Sequence, residues 1–524
     1  MRITKLQKVY PNFTNNAKHR DYCLNTLDLL VLLTILVIGL IHLKFPLGGD
    51  QCIFLLGAKK IDNGGILYKD FWDTKQPGIF LFFYMAGNIF GFQEFGVHIF
   101  ELIYWILFSI LLIMLTRHLR VFEKGFFSSL LPLFVVGVYY CNATPWHLTQ
   151  IEALINFFLF LFVWLAAEHR ESGKISIFIS FLSGIVVAAI ICFKLVYLVI
   201  VFSISVLLIR KLLKHGQKLK DVLIFTITPM IMGTMIPVTL LIFHYHKHNA
   251  LALAFDTFFL FPLKMISYSS EMQYKSLLRS IRWFSTTNST LMVFGLLGFL
   301  SILKSKTSLS SIFPPSIVVW FTGGFFTLLI QINAWWEYHF QLFYAPVGIL
   351  AAKGVDFFWK EIQRTINLSS RLVRNIVLII FLILIFLNQI TILSNKIYKF
   401  INKKDINLSA IEIREDTSFL RDSASLSGKI FVCGNPRYYL EANRDQATRF
   451  HGWALEYFVP KQWYELICQL DKNRPSYIFV DNYYDKLIKQ KYPKFFDFIE
   501  REYNLFKISA RGKWYVLNFV GPPK

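Results

Sequence analysis

Apolar runs close to 20 residues long recur from residue 27 to residue 394, and this is the length an α-helix needs to cross a bilayer. They fall near 27–46, 96–116, 125–141, 150–167, 175–192, 195–209, 222–243, 289–303, 312–332, 338–353 and 375–394. The chain is therefore expected to be a polytopic α-helical membrane protein with about eleven transmembrane helices, and the lipid bilayer is its first partner. Its 17% charged residues, against about 25% in soluble proteins, fit a surface that meets lipid. Lys and Arg exceed Asp and Glu by 22, a surplus that cytoplasmic loops carry in membrane chains. No zinc-finger spacing and no basic, aromatic-interleaved face lies outside the apolar runs, so no nucleic-acid partner is expected.

The first run follows a polar, basic segment, residues 1–26, and ends in Lys44-Phe45-Pro46 without a small-residue cleavage site. It reads as a retained anchor with a cytoplasmic N-terminus. Six cysteines without CxxC spacing exclude a metal or disulfide framework. Cys433 and Cys468 share the C-terminal region and could pair there if it is extracytoplasmic; the preferred reading is two free buried thiols.

Orientation turns on residues 78–91, which are apolar but too short for an ordinary span and suit an interfacial or re-entrant helix. If they do not cross, the basic stretches 117–124, 168–174, 210–220, 304–306 and 353–374 all face inward, and the connections 142–149 and 333–337, without Lys or Arg, face outward. Counting 78–91 as a span inverts every later loop against the charge rule. The expected domains are thus a membrane domain over 27–394, with a first outer loop at 47–95, and an extracytoplasmic α/β domain over 395–524.

Residues 395–524 hold no membrane-length run. GKIFVCG (428–434) and SYIFVDN (476–482) are rich in β-branched and aromatic residues bounded by Gly, Asn or Pro, and read as short buried strands. WYELICQLDK (463–472) has helical spacing, and 503–520 reads as a hairpin turning near Arg511 and Gly512. There is no internal repeat and no pair of Gly/Pro-broken spans in matching halves, a feature transporters often show.

The first outer loop is the most informative segment. Asp50 follows two glycines at the lip of the first span, Gln51–Lys60 has helical spacing, and a Gly-Gly turn leads into Tyr68, Lys69, Asp70, Asp73, Lys75 and Gln76. A carboxylate at the membrane edge is costly unless it is paired, hydrated or functional, so Asp50 is either an N-cap or a working acid. At the same level fall Glu152 and His147 before the fourth span, Lys194 at the joint of the fifth and sixth, and Glu337 and His339 before the tenth. Singly, each has a structural explanation: a helix dipole for Glu152, snorkelling for Lys194, packing for His339. All of them share one side of the membrane by the charge rule, which was applied without them.

The run GGD through GGILYKDFWDTKQPG resembles the first outer loop of the GT-C membrane glycosyltransferases, in particular the bacterial aminoarabinose transferase and protein O-mannosyltransferase subgroup. The matching positions are Gly65, Tyr68, Asp70, Phe71, Asp73, Lys75 and Pro77. WWEYHFQLFYAPVGILAAKG resembles a late helix of that family, and IFVCGNPRYYLEANRD with RPSYIFVDN its small outer domain. The resemblance implies a GT-C fold and transfer of a sugar, with inversion, from a polyprenyl-phosphate-linked donor to a lipid A, lipopolysaccharide, other envelope glycan or protein acceptor, at the outer face of a bacterial inner membrane. By the same resemblance Asp50 is the general base and Lys75 contacts the donor phosphate. Lys194 and His339 are further phosphate candidates. Glu152, Tyr68, Asp70 and Asp73 bind acceptor or orient the loop. Gln76-Pro77 replaces the frequent Pro-Pro, and Glu152 lacks a neighbouring Asp. No DxD metal site is therefore supported, and no obligatory cofactor or metal is expected. The competing class is a transporter or flippase of a lipid-linked glycan; an adhesion or signalling receptor fits the polar cluster poorly.

Overall fold

The computed structural model describes residues 24–122, 124–171, 176–268, 274–304, 311–331, 335–365, 370–402, 408–422 and 425–518; most of the basic N-terminal segment lies outside them. Every expected apolar run is helical. Seven helices are long and apolar enough to cross on their own: Glu94–His118, Ile151–His169, Leu195–Lys214, Leu219–Lys247, Phe313–Ile330, Glu337–Thr365 and Val373–Ile401. Three are shorter, Thr26–His42, Phe126–Asn142 and Ile177–Phe193. Ser289–Lys304 joins Tyr274–Thr287 across an 84° bend.

The first helix shows how a lipid-facing surface is written. Asp28, Val31, Ile35, Gly39 and His42 are buried at helical spacing, whereas Leu29, Leu30, Leu33, Val37 and Leu40 are exposed. Both faces are apolar because lipid and protein interior are alike as solvents. The buried Asp28 is offset by Arg117, whose guanidinium donates at 2.7 and 2.9 Å. Where burial alone cannot drive helices together, small residues let backbones touch. A Cβ on Gly298 would meet the Leu350 carbonyl oxygen at 2.0 Å, and one on Gly354 the Phe294 oxygen at 1.9 Å. Helices Ser289–Lys304 and Tyr344–Thr365 thus cross at main-chain contact.

Residues 77–90 form a helix with Pro77 in its first turn and Gly91 at its C-cap. Its 14 residues reach about 21 Å, short of a ~30 Å hydrocarbon core. Residues 244–288, left without elements in the sequence reading, hold the helical stretch from Leu251 to Tyr268 and the amphipathic helix Tyr274–Thr287. The last long helix runs from Arg371 to Ile401, past the end of the apolar run at residue 394.

The C-terminal domain is a four-stranded sheet of order β1-β2-β4-β3, with β1 Ile430–Cys433, β2 Tyr477–Asp481, β3 Tyr503–Ile508 and β4 Gly512–Leu517. β1 and β2 are parallel and the other pairs antiparallel. Phe431, Cys433, Ile478 and Val480 face one core with Leu466 and Ile499. Ile430, Val432, Tyr477 and Phe479 face another with Tyr438 and Trp514. This is the period-2 alternation of a sheet covered on both sides. Cys433 is buried, but Cys468 is exposed and both are free, which corrects the expectation of two buried thiols. Cys468 lies on the outer side of helix Pro460–Asn473, away from the Trp463, Leu466 and Leu470 stripe.

Arg437 joins the two domains. Its side chain, 5% exposed, donates to the Leu47 carbonyl at 2.8 Å, to Glu94 at 2.5 Å and to Glu441 at 2.6 Å. Removing the guanidinium leaves two carboxylates and a carbonyl without their shared donor. Arg437→Met is expected to cost about 3 kcal/mol, read as a lowered midpoint in thermal unfolding of the purified protein. An unchanged midpoint would show that the joint does not depend on this residue.

Candidate active site

Gly49 has φ +41°, and a Cβ there would meet the Trp146 ring at 2.6 Å, so this turn requires glycine. The turn opens helix Gly49–Asp62. Its N-cap is Gly48, whose N–H is accepted by Gln51 Oε1 at 2.7 Å. Asp50 sits in the first turn and does not cap the helix, so that explanation of the acid falls. Gln51 also donates to the Leu148 carbonyl, which binds this turn to the connection that precedes Glu152.

Lys75 Nζ lies 3.4 Å from Asp50 Oδ1 and 3.6 Å from Asp73 Oδ1. The Tyr338 hydroxyl donates to Asp50 Oδ2 at 3.3 Å. A second group stands beside this one: Lys194 Nζ donates to Glu152 Oε1 at 2.7 Å, and His339 Nε2 is 3.7 Å from the same oxygen. Tyr338 and His339 are consecutive, one on each carboxylate, with ring centroids 4.5 Å apart. The structure thus brings Asp50, Asp73, Lys75, Glu152, Lys194 and His339 together. Tyr68 and Asp70 serve the loop itself. Tyr68 is buried at φ +70° and donates to the Lys75 carbonyl at 2.9 Å, while Asp70 accepts the Ile66 N–H at 2.8 Å. His147 stands off from this core, 4.0 Å from Glu337.

The electrostatics follow from the pairing. Burial raises the Asp73 carboxyl, but the Lys75 ammonium and a hydrogen bond from His451 outweigh it and hold Asp73 at about 2. Burial likewise works against the Lys75 ammonium, and Asp50 and Asp73 outweigh it to push its pKa above the usual lysine value. Burial raises the Tyr68 hydroxyl and keeps it a donor.

Sequence reasoning missed Tyr338 and His451. Tyr338 had a signal, its place beside His339 in WWEYHF. His451 had none. Among the described residues no group of three or more His, Cys, Asp or Glu is arranged to hold a metal ion. A cavity of about 460 Å³ is lined by Gly48, Phe45, Trp146, Lys396, Lys399 and Arg437 among others and by no carboxylate. None of the six clustered residues lines it.

The arrangement offers a carboxylate with a phenol and an ammonium on it, two lysines within one group of charges, and an adjoining cavity. It can accept a proton at Asp50 and hold an anion at Lys75 and Lys194. The Asp73 contribution to stability is present above the ordinary carboxylate value near pH 4 and lost as pH falls through about 2. Asp73→Asn should therefore lower stability by about 2 kcal/mol at neutral pH and flatten the acid limb between pH 4 and 2, as read from unfolding midpoints. An acid limb identical in both proteins would show that Asp73 is not held ionised.

No family model matches the sequence, and no curated protein matches it. The fold does have a solved counterpart: ArnT from Cupriavidus metallidurans, crystallised bound to undecaprenyl phosphate. It superposes with a TM-score of 0.57 over 95% of this chain and 99% of that one, at 10% identity. The chain therefore shares the fold of ArnT, a polytopic helical architecture with a small C-terminal α/β domain, as its first outer loop led one to expect.

Proposed function

We infer that this protein is a membrane glycosyltransferase that moves a sugar from a polyprenyl-phosphate donor to an envelope acceptor at the outer face of the inner membrane. The observation that carries this reading is Asp50 held between the Lys75 ammonium and the Tyr338 hydroxyl, beside the Lys194–Glu152 pair. The shared fold with a protein crystallised on undecaprenyl phosphate supports the donor class.

In this reading the acceptor hydroxyl attacks the anomeric carbon as its proton passes to Asp50. The new C–O bond forms as the bond to the donor phosphate breaks, and polyprenyl phosphate leaves with the electron pair. One displacement inverts the anomeric centre. Charge grows on the leaving phosphate, and Lys75 and Lys194 are the cations aimed at it in a site of little water. Lys75 is paired with Asp50 and Asp73, and Lys194 with Glu152; a phosphate competes for Lys75 and leaves Asp50 freer to take a proton. His339 and Glu152 orient Lys194, and Asp73 orients Lys75. The cavity lined by Gly48, mainly apolar with cations, amides and hydroxyls in its wall, suits an amphiphilic acceptor.

The test is transfer of label from a radiolabelled polyprenyl-phosphate sugar to envelope extracts by purified protein. Asp50→Asn is expected to reduce transfer by about 10²–10⁴, and Lys75→Ala to raise the donor KM as well. No transfer by the wild type would favour a flippase; equal transfer by Asp50→Asn would remove Asp50 as base. Orientation has its own check. A periplasm-dependent phosphatase fused after Lys524 is expected to be active, and a silent fusion that is expressed intact would invert the topology.

A further inference from the structure

The mechanism above leaves unexplained a buried histidine contributed by the C-terminal domain. His451 Nε2 lies 3.0 Å from Asp73 Oδ2, with the two side chains 3% and 5% exposed. The Trp453 backbone N–H donates to the other ring nitrogen, Nδ1, at 3.1 Å. Nδ1 therefore supplies a lone pair, and the proton of the neutral ring sits on Nε2, pointed at Asp73. Asp73 uses its remaining oxygen on the loop: Oδ1 accepts the Lys75 N–H at 2.8 Å and faces Lys75 Nζ at 3.6 Å.

The loop that carries His451 is seated firmly. A Cβ on Gly452 would meet the Val432 carbonyl oxygen of β1 at 1.8 Å, so the chain after His451 lies directly on the sheet. On its other side Trp72 N–H donates to the Arg449 carbonyl at 2.8 Å, and Arg449 donates to the Tyr68 carbonyl at 2.7 Å while held by Glu465 at 2.5 and 2.8 Å. The outer loop is therefore bridged to the domain two residues before the histidine, and the chain just after the histidine is pinned to the domain's own sheet. A hinge between them is not built at this point; a fixed donor is.

We propose that His451 is a positioning residue by which the C-terminal domain completes the site: its Nε2–H holds Asp73 in the rotamer that aims Lys75 at Asp50 and at the donor phosphate. Without it, Asp73 Oδ2 loses the one side-chain donor it has among the described residues, in a place water hardly reaches, and the carboxylate turns toward Lys75 or solvent to regain one. Lys75 then follows Asp73 away from Asp50. The consequence for phosphate binding rests on the function inferred above; the positioning of Lys75 does not.

The test uses the full-length purified protein with His451→Ala and His451→Gln. A glutamine amide places an N–H near the position of Nε2, so it restores the donor without the ring. The first measurement is the rate at which Lys75 is acetylated by a water-soluble amine reagent, read by mass spectrometry with Lys429 as internal reference. His451→Ala is expected to change that rate by about fivefold and His451→Gln to keep it within about twofold of wild type. The second is the Kd for undecaprenyl phosphate, expected to weaken by about tenfold in the alanine variant and to recover in the glutamine variant. An unaltered Lys75 rate in a folded alanine variant overturns the proposal. Equal effects of both variants overturn it too, since a merely structural histidine would not be rescued by a donor. If labelling changes as expected but wild type does not bind undecaprenyl phosphate, the positioning role stands and the inferred function falls.

Discussion

One ammonium between two carboxylates sets the terms for everything around it. Lys75, a quarter exposed, lies within reach of Asp50 and Asp73. Three charges in such a place are tolerable only while each has partners, because desolvation costs several kcal/mol per ion. The surrounding chain supplies them: Tyr338 for Asp50, His451 and the Lys75 main chain for Asp73. Glu152 and Lys194 repeat the arrangement one step away with a single strong hydrogen bond and His339 alongside. The loop turn at Gly49, the short helix Pro77–Phe90 and the docked C-terminal domain can all be understood as the means of holding these groups at one level.

Much of this was legible before any coordinates. Long apolar runs identify spanning helices because lipid demands both length and uniform apolarity, and each expected run is helical. The four strands of the C-terminal domain followed from β-branched and aromatic clusters between turn residues, with the hairpin turn at Ser509–Arg511 close to where Arg511 and Gly512 placed it. Charges at a membrane edge were conspicuous for the same reason that they are expensive. What hydropathy did not reveal was the stretch 244–288. The helix Tyr274–Thr287 carries Lys275, Arg279 and Arg282, so its mean hydropathy is low although its apolar residues share a face. Periodicity, not the running average, held that signal.

The partners of the site charges were less legible than the charges themselves. Asp73 and His451 are 378 positions apart, and Asp50 and Tyr338 are 288 apart. Nothing local to His451 marks it: it lies in a loop whose conformation is imposed by β1 on one side and by Trp72 on the other. The apparent capping role of Asp50 illustrates the converse error. Asp before a helix is a good N-cap by propensity, yet the turn through Gly48 moves the cap two residues earlier and leaves the carboxylate free to face Lys75. Tertiary geometry decided between two readings that local chemistry left equal.

The main-chain contact between helices Ser289–Lys304 and Tyr344–Thr365 has a reach beyond its own packing. Gly354 and His339 belong to the continuous helical segment from Glu337 to Thr365, 15 positions apart along it. Side-chain packing tolerates small axial slips, because methyl groups can re-seat against one another. Backbone oxygen against a glycine has no such slack. The position at which Tyr338 and His339 meet the two carboxylates is therefore gauged from the far part of the same helical segment, by a stop made of two residues with no side chains.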